Sequence, residues 1–251
     1  MEEKGVHELT ALPPGASVVQ SRWVFAYKLH DDGRVARYKA RLVAKGFTQR
    51  YGVDYEEVWA PAGNLATLRV LLVIAAQDDL DVTQGDVDTA FLNSELEETI
   101  YMRQPPCFED GTDRVWGLRK AIYGLKQGAR AGHLKLAKFL NSIGYNPLQA
   151  DPAVFVYKCK SKWLYTHVDD LIHKAPRGKG AKDMQRVFKT FPGKYFGEAH
   201  NPLGISIERD RKARTISIAQ PRLVEGALAR FGQERSTTRD SPLPERGEID
   251  P

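Results

Sequence analysis

Leu164-Tyr-Thr-His-Val-Asp-Asp-Leu-Ile172 is the stretch on which the reading of this chain turns. Apolar, β-prone residues flank two adjacent acids, which predicts a tight hairpin with Asp169 and Asp170 at its turn. Neighbouring carboxylates repel one another, and such a pair normally needs a cation to sit stably. The same pair also suits an ordinary solvated turn, because Asp is a common turn residue. The rest of the chain decides between the two.

Around this hairpin the hydrophobic periodicity is readable. Ala153–Tyr157 and Lys162–Thr166 read as strands, and Leu80–Val87 reads as a strand running into Asp86. Thr67–Gln77 carries Leu68, Leu71, Leu72 and Ala75 at helical spacing. Gln127–Ile143 reads as a helix stopped by Gly144, and Ala181–Phe191 as another. The order strand, helix, strand, hairpin, helix, strands predicts a ferredoxin-like split unit. In such a sheet the end of the Asp86 strand lies beside the hairpin turn, so Asp86, Asp169 and Asp170 converge. Further out, Trp23–Leu29 and Tyr38–Phe47 predict a hairpin across Asp31-Asp32-Gly33. Ile205-Ser-Ile-Glu and Thr215-Ile-Ser-Ile-Ala predict a second hairpin across Asp210-Arg-Lys-Ala, followed by a helix over Arg222–Phe231. Residues 1–20 read as a loose leader, and the chain from Gln233 as a polar tail.

The 251 residues, 42% of them hydrophobic, suffice for a sizeable core. The net charge of +5 is unevenly spread. Arg22 to Arg50 holds eight Lys/Arg against two Asp, whereas Asp78 to Glu98 holds eight Asp/Glu and no Lys/Arg. A basic segment beside an acidic one suits a site for polyanions and divalent cations, and equally suits two solvated faces. Cys107 and Cys159 form no C-x-x-C pair, which excludes a zinc-ligand pattern and a disulfide framework and favours a reducing compartment. The N-terminus lacks a secretory h-region, and the longest apolar run, Val70–Ala76, is too short to span a bilayer.

Three converging carboxylates suit Mg²⁺, which takes oxygen ligands and shares its shell with substrate phosphates. Here the residues reach a family. Gln84-Gly-Asp-Val-Asp-Thr-Ala-Phe-Leu-Asn93 resembles the first catalytic motif of reverse transcriptases from copia-type LTR retrotransposons. Also similar, in the family's order, are Trp23-Val-Phe, Tyr38-Lys-Ala-Arg-Leu-Val-Ala-Lys-Gly-Phe-Thr-Gln49, Gly52-Val-Asp-Tyr-Glu-Glu57, Tyr101-Met-Arg-Gln-Pro105, Tyr123-Gly-Leu-Lys-Gln127, Val168-Asp-Asp170, Leu203-Gly-Ile205 and Gln220. The resemblance covers roughly residues 15–245 and implies an α+β right-hand polymerase fold. Leader 1–19 would precede fingers 20–80, a ferredoxin-like palm 81–219 with a fingers insertion near 95–125, a partial thumb helix 220–232 and a tail 233–251.

The resemblance further implies that Asp86, Asp169 and Asp170 are catalytic and hold two Mg²⁺ ions, for which Mn²⁺ can substitute. Phe91 would be the aromatic gate beside the nucleotide sugar. Gln127, with Lys126 and Gly124, would contact the incoming nucleotide and template, and Lys39 and Arg41 the triphosphate. The implied partners are dNTPs and an RNA or DNA template with primer, with no membrane, in cytoplasmic retroelement particles. The chain reads as a polymerase fragment without RNase H or integrase segments. Asp88 reads as a surface or outer acid.

The chain departs from the family at His167, where Tyr is usual, and at Gly132, where Trp is usual. Tyr195-Phe196, Pro202 and Arg222 are further departures. A Trp lost from a buried helix face leaves a cavity worth roughly 3–5 kcal/mol. Two functions follow: an RNA-directed DNA polymerase domain, or a catalytically inactive retrotransposon remnant that at most binds nucleic acid. A nucleotidyl cyclase on a similar scaffold would need a Gly-Gly-acidic turn, which Val168-Asp-Asp170 does not supply.

Overall fold

The computed structural model describes residues 5–30, 34–88, 92 and 94–236. The expected turn Asp31-Asp32-Gly33, Phe91 and residues 237–251 of the expected tail lie outside the described residues. In chain order the elements are β1 (His7–Thr10), β2 (Ser21–Leu29), β3 (Val35–Ala44), α1 (Leu65–Gln77), β4 (Asp81–Val87), β5 (Glu95–Arg103), β6 (Val115–Lys120) and α2 (Gly128–Ser142). Then follow β7 (Tyr145–Leu148), β8 (Asp151–Tyr157), β9 (Trp163–His167), β10 (Asp170–Ala175), α3 (Gly180–Thr190), β11 (Gly193–Glu198), β12 (Ser206–Asp210), β13 (Thr215–Ala219) and α4 (Pro221–Arg230).

The centre is an antiparallel sheet of order β11-β4-β10-β9-β8-β7. Its first four strands have the ferredoxin-like order, with α2 and α3 as the crossover helices. Side chains alternate across a pleated sheet, so each strand feeds two cores. On one face Val82, Val154, Tyr165 and Ile172 pack under Leu68, Leu71, Leu72 and Ala75 of α1. On the other, Val87, Phe155, Leu164 and Leu171 pack under Leu136 and Leu140 of α2 and Met184 and Val187 of α3. α1 starts where Asn64 accepts a hydrogen bond from Ala66 N at 2.8 Å, a cap worth about 1 kcal/mol. α2 stops at the expected place, with Gly144 in the left-handed region at φ 95°.

The N-terminal segment departs from expectation. Residues 7–10, read as loose leader, form strand β1 against β6, in a second sheet of order β1-β6-β5. Val6 and Val19 are fully buried beside Ile100, Met102 and Leu118. Burying these valines and pairing the β6 edge is what orders the segment. The hairpin β2–β3 stands on this second core through Leu42 and Ala44. The second expected hairpin, β12–β13, is clamped to the start of β4, where Arg211 bonds Asp79 at 3.0 Å and Asp81 at 2.8 Å.

Strand β10 is fixed at both ends. Deep in the sheet, His173 shares a 2.8 Å hydrogen bond with the Tyr145 hydroxyl, which donates to Asp183 at 2.9 Å. Lys162 completes the cluster on Asp183 at 2.7 Å. Burial holds the His173 imidazole down to about 4, so it packs as a neutral ring. Towards the other end, Phe188 of α3 lies against the backbone beside Asp86. A Cβ on Gly85 would stand 2.4 Å from the Phe188 ring, and one on Gly193 would stand 2.3 Å from the Asp86 carbonyl oxygen. Both positions demand glycine for close approach, not for backbone angle.

No helix among the described residues is long and apolar enough to cross a membrane. From the Phe188 contact we expect Gly85→Ala to cost about 1–3 kcal/mol by overpacking. Adding Phe188→Leu should recover part of that loss. Urea denaturation of the single and double variants measures both.

Candidate active site

The pairing of β10 with β4 sets Asp170 directly opposite Asp86. Directly opposed residues share a face of the sheet, with Cβ atoms about 4.5–5.5 Å apart. Asp169 occupies the two-residue turn between β9 and β10, and its carbonyl accepts from Val87 N at 2.9 Å. That bond ties the turn to the residue after Asp86. The partner residue in the turn, Val168, is held at φ 56°, a strained angle for a β-branched side chain. The hairpin, and the placement of Asp170 opposite Asp86, are therefore as the sequence predicts.

The electrostatics record the crowding. Burial, then Asp86 and Asp170, push the Asp169 carboxyl up to about 6. Asp86 is raised by burial, then by Asp170 and Asp88. Asp170 is also raised by burial, against the opposing pull of a Gln84 hydrogen bond and of His167. One Asp169 oxygen, Oδ1, is buried with no hydrogen-bond partner. Among the described residues no three Asp, Glu, His or Cys side chains are already converged closely enough to hold an ion. The donor set is nevertheless of the right kind: oxygen-only, mutually repelling, and carrying an unsatisfied anionic oxygen.

A cationic face lies over these acids. In hairpin β2–β3, Lys28 pairs with Arg37, Ala26 with Lys39 and Val24 with Arg41. Alternation puts Lys28, Arg37, Lys39 and Arg41 on one face. The charges of Lys28 and Lys39 favour ionised Asp86, and Arg41 favours ionised Asp169. Arg41 also stands over the Tyr123 ring, 5.8 Å from its centroid. Burial and then the Asp169 charge raise the Tyr123 hydroxyl. Lys39 and Arg41 thus share one strand face whose charge acts on the acids. Lys28, Gln84 and Tyr123 were not singled out, although Gln84 and Tyr123 lie inside the motifs quoted. Only the strand register reveals that Lys28 shares the Lys39 face.

Gln127 departs from expectation. It is 5% exposed, accepts from Gln49 Nε2 at 3.0 Å and donates to the Asp54 carbonyl at 2.9 Å. Its amide is consumed in tying the segment after β3 to the start of α2, so it does not stand open to a nucleotide. Gln49 also accepts from Lys126 N at 2.8 Å. Lys126 itself is exposed and donates to the Tyr55 hydroxyl at 2.8 Å. Phe91 lies outside the described residues. His167 is half-buried, and its Nδ1 lies 3.3 Å from the Gly63 carbonyl.

Residues 4–243 match the family described as reverse transcriptase (RNA-dependent DNA polymerase), and the chain belongs to it. It is 37% identical over 97% of its length to the retrovirus-related Pol polyprotein from transposon TNT 1-94 of Nicotiana tabacum. It is 35% and 36% identical, over 87% and 90% of its length, to those from transposons RE2 and RE1 of Arabidopsis thaliana. The chain spans 19%, 15% and 16% of these polyproteins respectively, less than a fifth of each. The structure of apo telomerase from Candida tropicalis, truncated from its C-terminal domain, superposes with a TM-score of 0.43 at 7% identity, over 87% of this chain and 58% of that one. That likeness is too distant to support any inference.

The raised Asp169 has a consequence for stability. An unfolded Asp titrates near about 4. The folded state binds the proton more tightly, so Asp169 contributes stability below about 4 that is lost as pH climbs to about 6. In cation-free buffer, Asp169→Asn should melt higher than the parent above pH 6. The gap should close as pH falls to about 4. Melting curves with a chelator from pH 4 to 7.5 measure this.

Proposed function

We propose that this chain is the template-directed DNA polymerase domain of a copia-type retrotransposon polyprotein, adding dNTPs to a primer 3′-OH. The observation that carries the reading is the direct opposition of Asp86 and Asp170, with Asp169 in the adjoining turn, beneath a face of Lys and Arg. An acid cluster under a cationic strand pair is what a polyanionic nucleotide with its counter-cations requires.

In this reading the six-stranded sheet with α2 and α3 is the palm. The β2–β3 hairpin, α1 and the β1-β6-β5 sheet belong to the fingers, and α4 is a partial thumb. Asp86, Asp169 and Asp170 would hold two Mg²⁺ ions, or Mn²⁺. The chemistry such ions supply is charge neutralisation on the transferring phosphoryl group and activation of the attacking hydroxyl. Lys39 and Arg41, with Lys28 behind them, receive the triphosphate. Arg41 is steadied by its contact with Tyr123. Gln127 acts from inside, holding the fingers segment to α2, and Lys126 reaches the template from the exposed end of the same network. Phe91 guards the sugar. Template and primer would be gripped mainly through phosphates, so binding weakens steeply with salt.

The test is primer extension on an RNA template with a DNA primer, with Mg²⁺ or Mn²⁺ and labelled dNTPs. We expect incorporation that disappears in the double variant Asp169→Asn, Asp170→Asn. Arg41→Ala should raise KM for dNTP by roughly tenfold, as loss of one charge-assisted contact implies. A folded parent that incorporates nothing would leave the inactive remnant as the reading that stands.

A further inference from the structure

Behind the Val168 turn lies a cavity of about 130 Å³. Its walls include Ala62 from the loop before α1, Gly132 and Leu136 from α2, Val168 and Asp169 from the turn, and Phe191 from the end of α3. Gly132 lines the cavity and contributes no side chain to it. A Cβ built there would meet nothing nearer than Ser94 Oγ at 3.9 Å.

Two physical features make the cavity more than a packing gap. The first is size. An apolar cavity of about 150 Å³ is known to stay dry and take up benzene. At about 130 Å³ this one has room for a single six-membered ring with a small substituent. The second is chemistry. Most of the wall is Ala, Gly, Leu, Val and Phe. Of the polar groups in the wall, the Thr166 hydroxyl is spent on the Ala153 carbonyl at 3.0 Å, the His133 ring lies tilted against Phe155 at 5.8 Å, and the Asp169 carboxylate, whose Oδ1 has no hydrogen-bond partner, sits at the turn end. A buried water needs two to four polar partners, and apart from the Asp169 carboxylate at one end the wall offers none that is uncommitted among Thr166 and the apolar residues. Charged ligands such as nucleotides find no cationic side chain among the described wall residues.

We infer that this cavity is a binding site for one small apolar aromatic ring, seated against the inner flank of the Val168–Asp169 turn. Its occupant replaces the side chain that Gly132 lacks and braces the strained turn from behind. The inference does not depend on polymerase activity, because the cavity is a property of the packed chain.

Toluene is a suitable probe, titrated into ¹⁵N-labelled protein and followed by amide shifts and by melting temperature. Saturable binding should move the resonances of Gly132, His133 and Val168. The melting temperature should rise by roughly 3–6 °C at ten times Kd. Gly132→Trp fills the cavity from α2, and Ala129→Leu narrows it from the helix surface should the larger change prevent folding. Toluene should bind either folded variant at least tenfold more weakly. A toluene effect that never saturates, that is equal in parent and variants, or that maps to other resonances overturns the site.

Discussion

Two like charges held face to face across adjacent strands are the constraint around which this molecule is built. The β4–β10 register puts Asp86 opposite Asp170, an arrangement that costs stability wherever nothing neutralises it. A slip of one residue would relieve the repulsion. It would also turn Val82 and Ile172 away from α1, and Val87 and Leu171 away from α2 and α3. Because both faces of the sheet are buried, the hydrophobic cores enforce the register that the acids oppose.

The rest of the architecture serves that strand pair. The His173–Tyr145–Asp183–Lys162 cluster pins β10 within the protein, and the bond from Val87 N to the Asp169 carbonyl closes its other end. Glycines at 85 and 193 let α3 press against the backbone at Asp86. Above the acids, the second core props up a hairpin whose one face is cationic. That cationic strand face acts on the acids by charge, Lys28 and Lys39 on Asp86 and Arg41 on Asp169. The Gly132 cavity lies against the turn carrying Asp169.

Much of this was legible in the residues. α1, α2, β4 and the β9–β10 hairpin have clear apolar periods, and the placement of Asp86 beside the hairpin turn followed from their order. What escaped did so for identifiable reasons. β1 is four residues with little apolar content, β7 contains Pro147, and β11 includes Gly193 and Gly197, so none shows a period of two. Their pairing is dictated by neighbouring strand edges. Gln127 reads as a nucleotide contact from its motif, yet is spent on Gln49 and Asp54, partners 78 and 73 residues away in sequence. No local pattern reports contacts of that range. The cavity was foreshadowed by Gly132 alone, because a missing side chain in a helix face is visible without coordinates.

The most direct test of this account is whether Asp86, Asp169 and Asp170 bind a divalent cation together. Mn²⁺ added to ¹⁵N-labelled protein should selectively broaden the amides of residues 86–88 and 168–170, and should raise the melting temperature of the parent. Both effects should vanish in Asp86→Asn, Asp170→Asn. Broadening spread over the surface acids, or unchanged in that variant, would contradict the claim that the paired strands are built around a cation site.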